Sequence, residues 1–115
     1  MSSDTVDRKI AVILATDVVG YSKHMETNEK ETVKNLKVCE KILTKTFENH
    51  KGRLFNTGGD SFFIEFPSAV EAVECAVSFQ EQIKKRNTRD NPTVPLEFRI
   101  GINTGDVIQD NKNLL

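Results

Sequence analysis

The sequence predicts an α+β domain whose elements run strand, helix, strand, strand, helix, strand. Three observations carry this. Ile10–Thr16 is a short apolar run rich in β-branched residues, and Leu96–Ile102 alternates apolar and polar residues. Between them, Thr57-Gly58-Gly59-Asp60 separates two strand-like segments as a hairpin turn would. Two long stretches repeat apolar residues at helical spacing. The length agrees: 115 residues make one small domain, which buries roughly two-thirds of its unfolded surface.

Each element has its own signals. Ile10–Thr16 reads as a central strand, and Asp17-Val18-Val19-Gly20-Tyr21-Ser22 breaks the pattern. Asn28 with Glu31 forms a capping box ahead of the first helix, whose stripe is Leu36, Cys39, Leu43 and Phe47, widened by Val33, Ile42 and Thr46. Gly52 is expected to stop it, with His50 and Lys51 suiting a helix C-terminus. Arg53–Asn56 and Ser61–Phe66 are the hairpin strands, with both glycines placed for positive φ. Ser68 and Glu71 cap the second helix, whose expected stripe is Val70, Val73, Ala76, Val77, Phe79, Gln80 and Ile83, ending in a fraying, charged stretch from Lys84 to Asp90. After the loop Asn91–Pro95 comes the fourth strand, then a turn at Asn103–Asp106, with Val107–Gln109 opening another strand.

Six elements in βαββαβ order match a ferredoxin-like plait, an antiparallel sheet with two helices on one face and spatial strand order 4-1-3-2. In that order the first strand lies antiparallel to the third. Asp17 closes one and Asp60 opens the other, so two carboxylates far apart in sequence should meet at one sheet edge.

Composition narrows the function classes. The chain is 37% hydrophobic and 29% charged, with 16 basic against 17 acidic side chains and a net charge of -1. That balance excludes a disordered chain and gives no electrostatic case for nucleic acid or an anionic membrane as partner. No apolar window reaches the eighteen or so residues a bilayer requires, and Met1-Ser2-Ser3-Asp4 lacks the features of a signal peptide. Cys39 and Cys75 stand in neither a CxxC nor a metal-finger spacing, and His24 and His50 share no ligand spacing with them. A reduced, cytoplasmic domain is expected. The ordinary reading of both cysteines is core packing. For Lys84, Lys85, Arg86 and Arg89 it is a solvated helix end, and for Asp106 a turn cap.

Two converging carboxylates beside tight turns suit a hard divalent cation, which takes oxygen ligands and keeps several waters. The segment leaving Asp17 heads into a helix, so its backbone N–H groups favour an anion such as a phosphate, and Gly20 permits close approach. Ordinary turn chemistry explains the same residues, and pattern alone leaves both readings open.

Three segments in register resemble the class III adenylate/guanylate cyclase catalytic domain: Ile10–Ser22 with Asp17, Arg53–Phe66 with Asp60, and Phe98–Val107 with Asp106. The resemblance covers roughly Arg8 to Gln109. It implies that residues 1–8 are an N-terminal tail and 9–115 part of a cyclase catalytic domain. Asp17 and Asp60 then fall on the metal-binding aspartates, with the Val18 carbonyl completing one metal site. Val19, Gly20, Tyr21 and Ser22 would hold the triphosphate. Two Mg²⁺ or Mn²⁺ ions per site, ATP in preference to GTP, a 3′,5′-cyclic nucleotide with pyrophosphate as products, and a homodimer sharing its active site are likewise implied.

The purine-reading position, Lys in adenylate and Glu in guanylate cyclases, is Asn56, whose amide can donate to or accept from a purine edge. The family's ribose-positioning Asn and transition-state Arg would lie after Leu115, so no catalytic residue beyond the metal ligands is expected here. The resemblance therefore implies a C-terminally truncated domain, weak or inactive alone, with Leu114-Leu115 opening a further element. Two alternatives remain: a cyclase-like nucleotide-binding or dimerisation module without turnover, and a diguanylate cyclase-like domain. The latter resembles Gly58-Gly59-Asp60-Ser61-Phe62 but expects Glu where Ser61 stands.

Overall fold

The computed structural model describes residues 7–110 and 113–114, with side chains placed across 10–105. The elements are β1 (Asp7–Val18), α1 (Tyr21–Asn49), β2 (Arg53–Gly58), β3 (Ser61–Phe66), α2 (Ala69–Asp90), β4 (Phe98–Asp110) and β5 (Asn113–Leu114). They form one sheet in the order β2-β3-β1-β4-β5 with every neighbouring pair antiparallel. The first four strands thus take the spatial order expected of the plait, with the short β5 added beside β4.

The pleat sorts side chains between two faces. Val12, Leu14, Thr16 and Val18 of β1 and Phe62, Ile64 and Phe66 of β3 turn toward the helices and are buried. Against them pack Leu36, Cys39, Leu43 and Phe47 of α1 and Cys75, Phe79 and Ile83 of α2. Phe79 meets Phe98 edge to face at 5.1 Å between ring centroids. The opposite face carries Ile13, Ala15, Asp17, Phe63 and Glu65, all half-buried.

α1 is two helical pieces joined at Asn28, where φ is −157° and ψ 78°. The Asn28–Glu31 cap forms, with Asn28 Oδ1 accepting from the Glu31 N–H at 3.3 Å, but inside the helix rather than ahead of it, since α1 already begins at Tyr21. Across the break the buried Thr32 hydroxyl lies within hydrogen-bonding distance of the Asn28 carbonyl at 2.7 Å and the His24 carbonyl at 3.0 Å. Ser68 caps α2 as expected, accepting from the Glu71 N–H at 3.2 Å.

Several local expectations are corrected. β4 runs straight through Asn103–Asp106, because these residues pair with Ile10–Ile13 of β1, and Val107–Gln109 continue the same strand. Twelve cross-strand pairs outweigh the local turn preference of Asn-Thr-Gly-Asp. On α2 the buried face is Ala72, Cys75, Phe79, Ile83 and Arg86, while Val70, Val73 and Val77 are 66%, 50% and 53% exposed. Two helical phases coexist in that segment, and the valines belong to the outer one. α2 also stays helical to Asp90, so Arg86 is not part of a solvated end. It is buried against α1, with Nη2 donating to Asn35 Oδ1 at 2.6 Å. At the end of α1 the left-handed residue is Lys51 (φ 63°) rather than Gly52, and in the hairpin it is Gly59 alone (φ 61°).

Candidate functional site

Asp17 is the penultimate residue of β1 and lies on the face away from the helices, opposite Arg99 of β4. The two side chains form a two-pronged ion pair, Nε to Oδ1 at 3.0 Å and Nη2 to Oδ2 at 3.2 Å. The hydrogen bond to Asp17 raises the Arg99 pKa further above its already high value, and the charge of Asp60 adds in the same direction. Asp60 therefore shares this neighbourhood with Asp17, as the strand order predicts.

Asp60 follows Gly59 in the β2–β3 turn, and its Oδ2 accepts the Val18 N–H at 3.0 Å. The ladder explains this bond. Val19 donates to the Glu97 carbonyl at 2.8 Å, so residue 19 directs its backbone groups toward β4. Backbone direction alternates along an antiparallel strand, so Val18 directs both its N–H and its carbonyl toward the hairpin that carries Asp60. The chain thus brings together the Asp17 and Asp60 carboxylates and the Val18 carbonyl.

Beyond Val18 the backbone turns through Gly20 at φ 66°, ψ 32°, a conformation in which any other residue is strained. Space is not the constraint, since a Cβ at Gly20 would meet nothing within 4 Å. His24 donates the first intrahelical bond, to the Gly20 carbonyl at 3.0 Å. No side chain caps α1, so the N–H groups of Gly20, Tyr21, Ser22 and Lys23 have no intrahelical acceptor. The Val19 N–H is already committed to Glu97, so the amides this turn offers a ligand begin at Gly20. Asn56 is exposed on β2 and pairs with Phe63 of β3, beyond an irregularity in the ladder at Phe55.

A shallow cavity of about 290 Å³ opens on this face, lined by Ala15, Thr16, Asp17, Ser61, Phe63, Arg99, Ile100 and Gly101. Asp17 is the one carboxylate in its lining; with Asp60 and the Val18 carbonyl at the neighbouring strand end, the oxygen groups here are of the kind a hard cation takes. Among the described residues, no three of His, Cys, Asp and Glu gather to form a softer or fully protein-built metal cage. Arg99 is the member that the sequence reading passed over, taking it as one of the polar residues of an alternating strand. Strand order sets β4 beside β1, but the register that puts Arg99 across from Asp17 is visible only in the fold. No described helix is long and apolar enough to cross a membrane.

The family model described as the adenylate and guanylate cyclase catalytic domain matches residues 5–112. A protein of Rhizobium meliloti (strain 1021) bearing an adenylate cyclase name is 39% identical over 99% of the chain, which corresponds to 20% of that protein. The adenylate/guanylate cyclase/hydrolase from Silicibacter pomeroyi superposes with a TM-score of 0.84 at 29% identity, over 96% of this chain and 65% of that one. The guanylyl cyclase Cya2 gives a TM-score of 0.79 at 28% identity, over 95% and 62%. The chain therefore spans about a fifth of the curated relative and somewhat under two-thirds of those solved chains.

Proposed function

Because the chain belongs to the adenylate and guanylate cyclase catalytic domain family, we propose that residues 9–115 are the metal- and triphosphate-holding part of a nucleotidyl cyclase. The reaction is conversion of ATP, in preference to GTP, to the 3′,5′-cyclic nucleotide and pyrophosphate, for intracellular signalling. The adenylate cyclase name of the 39% identical relative supports ATP. The observation that carries the reading is the hydrogen bond between Asp60 and the Val18 N–H, which ties the hairpin carboxylate to the strand end that bears Asp17.

Two Mg²⁺ or Mn²⁺ ions, when bound, supply Lewis-acid chemistry, making the ribose 3′-hydroxyl more acidic and offsetting charge on the phosphate oxygens. Asp17, Asp60 and the Val18 carbonyl are the groups that hold them. The Gly20, Tyr21 and Ser22 amides face the triphosphate, with Val19 setting the turn through Glu97. Arg99 neutralises Asp17 while no cation is present. With a cation held at Asp17, the Arg99 guanidinium would be free to face an anionic substrate. Asn56 reads the purine edge. A second copy of the chain covers the helix-free sheet face around Ile13, Ala15 and Phe63, completing a shared site. A cytoplasmic location, where nucleoside triphosphates are made and used, follows from this reading.

Calorimetry with MnATP and MnGTP on the wild-type chain, Asp17→Ala and Asp60→Ala tests the site. Each substitution is expected to weaken binding by on the order of tenfold or more, since it removes one of only two charged metal ligands. Binding that ignores both would refute the assignment. A cyclic-nucleotide assay on the same samples separates the readings. Product formation marks a catalyst; binding without product favours the nucleotide-binding module, a reading that the Asp17–Arg99 pair also suits.

A further inference from the structure

β4 is an edge strand where it begins. β1 flanks it on one side, and β5 joins the other side only at Gln109 and Asp110. The residues ahead of it, 91–97, form no regular element, yet the three carbonyls of Leu96, Glu97 and Phe98 are all engaged. Gln80 Nε2 donates to the Phe98 carbonyl at 2.9 Å, and Asn87 Nδ2 donates to the Leu96 carbonyl at 3.1 Å. The Glu97 carbonyl, between them, points the other way and accepts from Val19 at 2.8 Å. Two side-chain amides on one face of α2 thus occupy the places where a neighbouring strand would have donated.

The consequence reaches the candidate site. Val19 immediately precedes Gly20, the left-handed residue from which the unpaired amides of α1 begin. The direction of those amides depends on where Val19 is held. Val19 is held by Glu97, and the Glu97 peptide is fixed on both flanks by Asn87 and Gln80. A groove of about 490 Å³ runs beside this clamp, lined among others by Ile83, Lys84 and Thr88, so the segment has little packing on its outer side to hold it otherwise. Leu96 anchors it inward, fully buried, but apolar burial fixes depth rather than the angle of a carbonyl.

We propose that Gln80 and Asn87 are positioning residues for the phosphate turn, acting through Glu97 and Val19 on the amides of Gly20, Tyr21 and Ser22. This rests on the nucleotide reading above for what the turn binds, but not for how the turn is held.

The test uses the full 115-residue chain with Gln80→Ala, Asn87→Ala and the double substitution. The control is Gln82→Ala, an amide of the same helix that bonds to Thr46 and Ser78 and lies outside the clamp. Amide hydrogen exchange at Val19 is expected to quicken about tenfold in the double variant, and MnATP affinity to fall by a similar factor, as expected for losing two neutral hydrogen bonds. The affinity for Mn²⁺ alone should move by less than about twofold, because Asp60 grips Val18 from the other side. A general loss of stability would act equally in the Gln82→Ala control. Val19 exchange in the double variant that matches this control overturns the proposal, as does an equal loss for Mn²⁺ and MnATP. If the unsubstituted chain binds no MnATP, the nucleotide reading and the phosphate role fall together. Val19 exchange would still report whether the two amides hold the turn.

Discussion

Replacing Gly52 by alanine gives a sharp test of how α1 is handed to the sheet. Gly52 follows the left-handed Lys51, and its N–H returns to the Phe47 carbonyl at 2.7 Å. A Cβ there would sit 2.7 Å from Phe66 Cε1 and 2.9 Å from both Phe66 Cζ and Ile64 Cγ2. Both neighbours belong to the core, Phe66 at 2% and Ile64 at 0% exposure, so neither can swing into solvent. Forcing an extra carbon into such packing costs about 1–3 kcal/mol. Alanine also restricts the unfolded chain, which offsets about 0.4–1 kcal/mol. With both contributions near mid-range, the net expected loss is about 1–2 kcal/mol. Unfolding entropy near 2.1 cal/mol/K per residue gives a 115-residue chain about 0.24 kcal/mol/K. Thermal denaturation followed by far-ultraviolet circular dichroism should therefore show Tm falling by about 4–8 °C. Adding Phe66→Leu removes the ring atoms in the way, so Gly52→Ala should cost less than half as much in that background. A Tm within about 2 °C of wild type, or a cost unchanged by Phe66→Leu, would refute the close approach of this loop to β3.

Other perturbations probe the interior. Arg86→Met leaves the buried Asn35 Oδ1 without its 2.6 Å donor and should cost about 1–3 kcal/mol in urea unfolding. Arg86→Met with Asn35→Leu should recover at least half of that, because Arg86 Nε itself has no hydrogen-bond partner among the described residues. Burial pushes the Cys75 thiol up to about 11 from 9.0. The folded chain therefore keeps a proton that the unfolded chain releases, and this contribution to stability is whole below pH 9 and lost as pH rises from there to about 11. Iodoacetamide at pH 8 should label Cys39 and Cys75 on the order of a hundredfold more slowly in buffer than in urea. Rapid labelling of the native chain would contradict their burial.

Much of the architecture was legible because local signals and burial agreed. Asn28 and Ser68 mark helix starts chemically, and a run such as Ile10–Thr16 reports burial directly. The misreadings fall where two signals compete. Asn103–Asp106 has turn chemistry, yet its place opposite Ile10–Ile13 decides its conformation, and that information lies ninety-odd residues away in the chain. α2 carries apolar residues in two phases, and periodicity alone does not say which one meets the sheet. At the site, the meeting of Asp17 and Asp60 followed from strand order. Arg99 did not, because a cation in an alternating strand looks like ordinary solvated surface until its cross-strand neighbour is known. The clamp by Gln80 and Asn87 was beyond reach for the same reason, as its acceptors are backbone atoms that carry no sequence label.

The twelve-rung pairing of β1 with β4 also imposes a parity rule on this chain. Asp17 faces away from the helices only because an odd number of steps separates it from core residues such as Leu14 and Val12. Deleting a single residue between Val12 and Asp17, in a chain whose upstream register is locked, would turn the carboxylate into the hydrophobic core. Deleting two would return it to the correct face but draw it back by about 6.6 Å, out of reach of Arg99 and the hairpin. Length changes in this strand are therefore forbidden for two different reasons. The odd ones fail by facing and the even ones by reach.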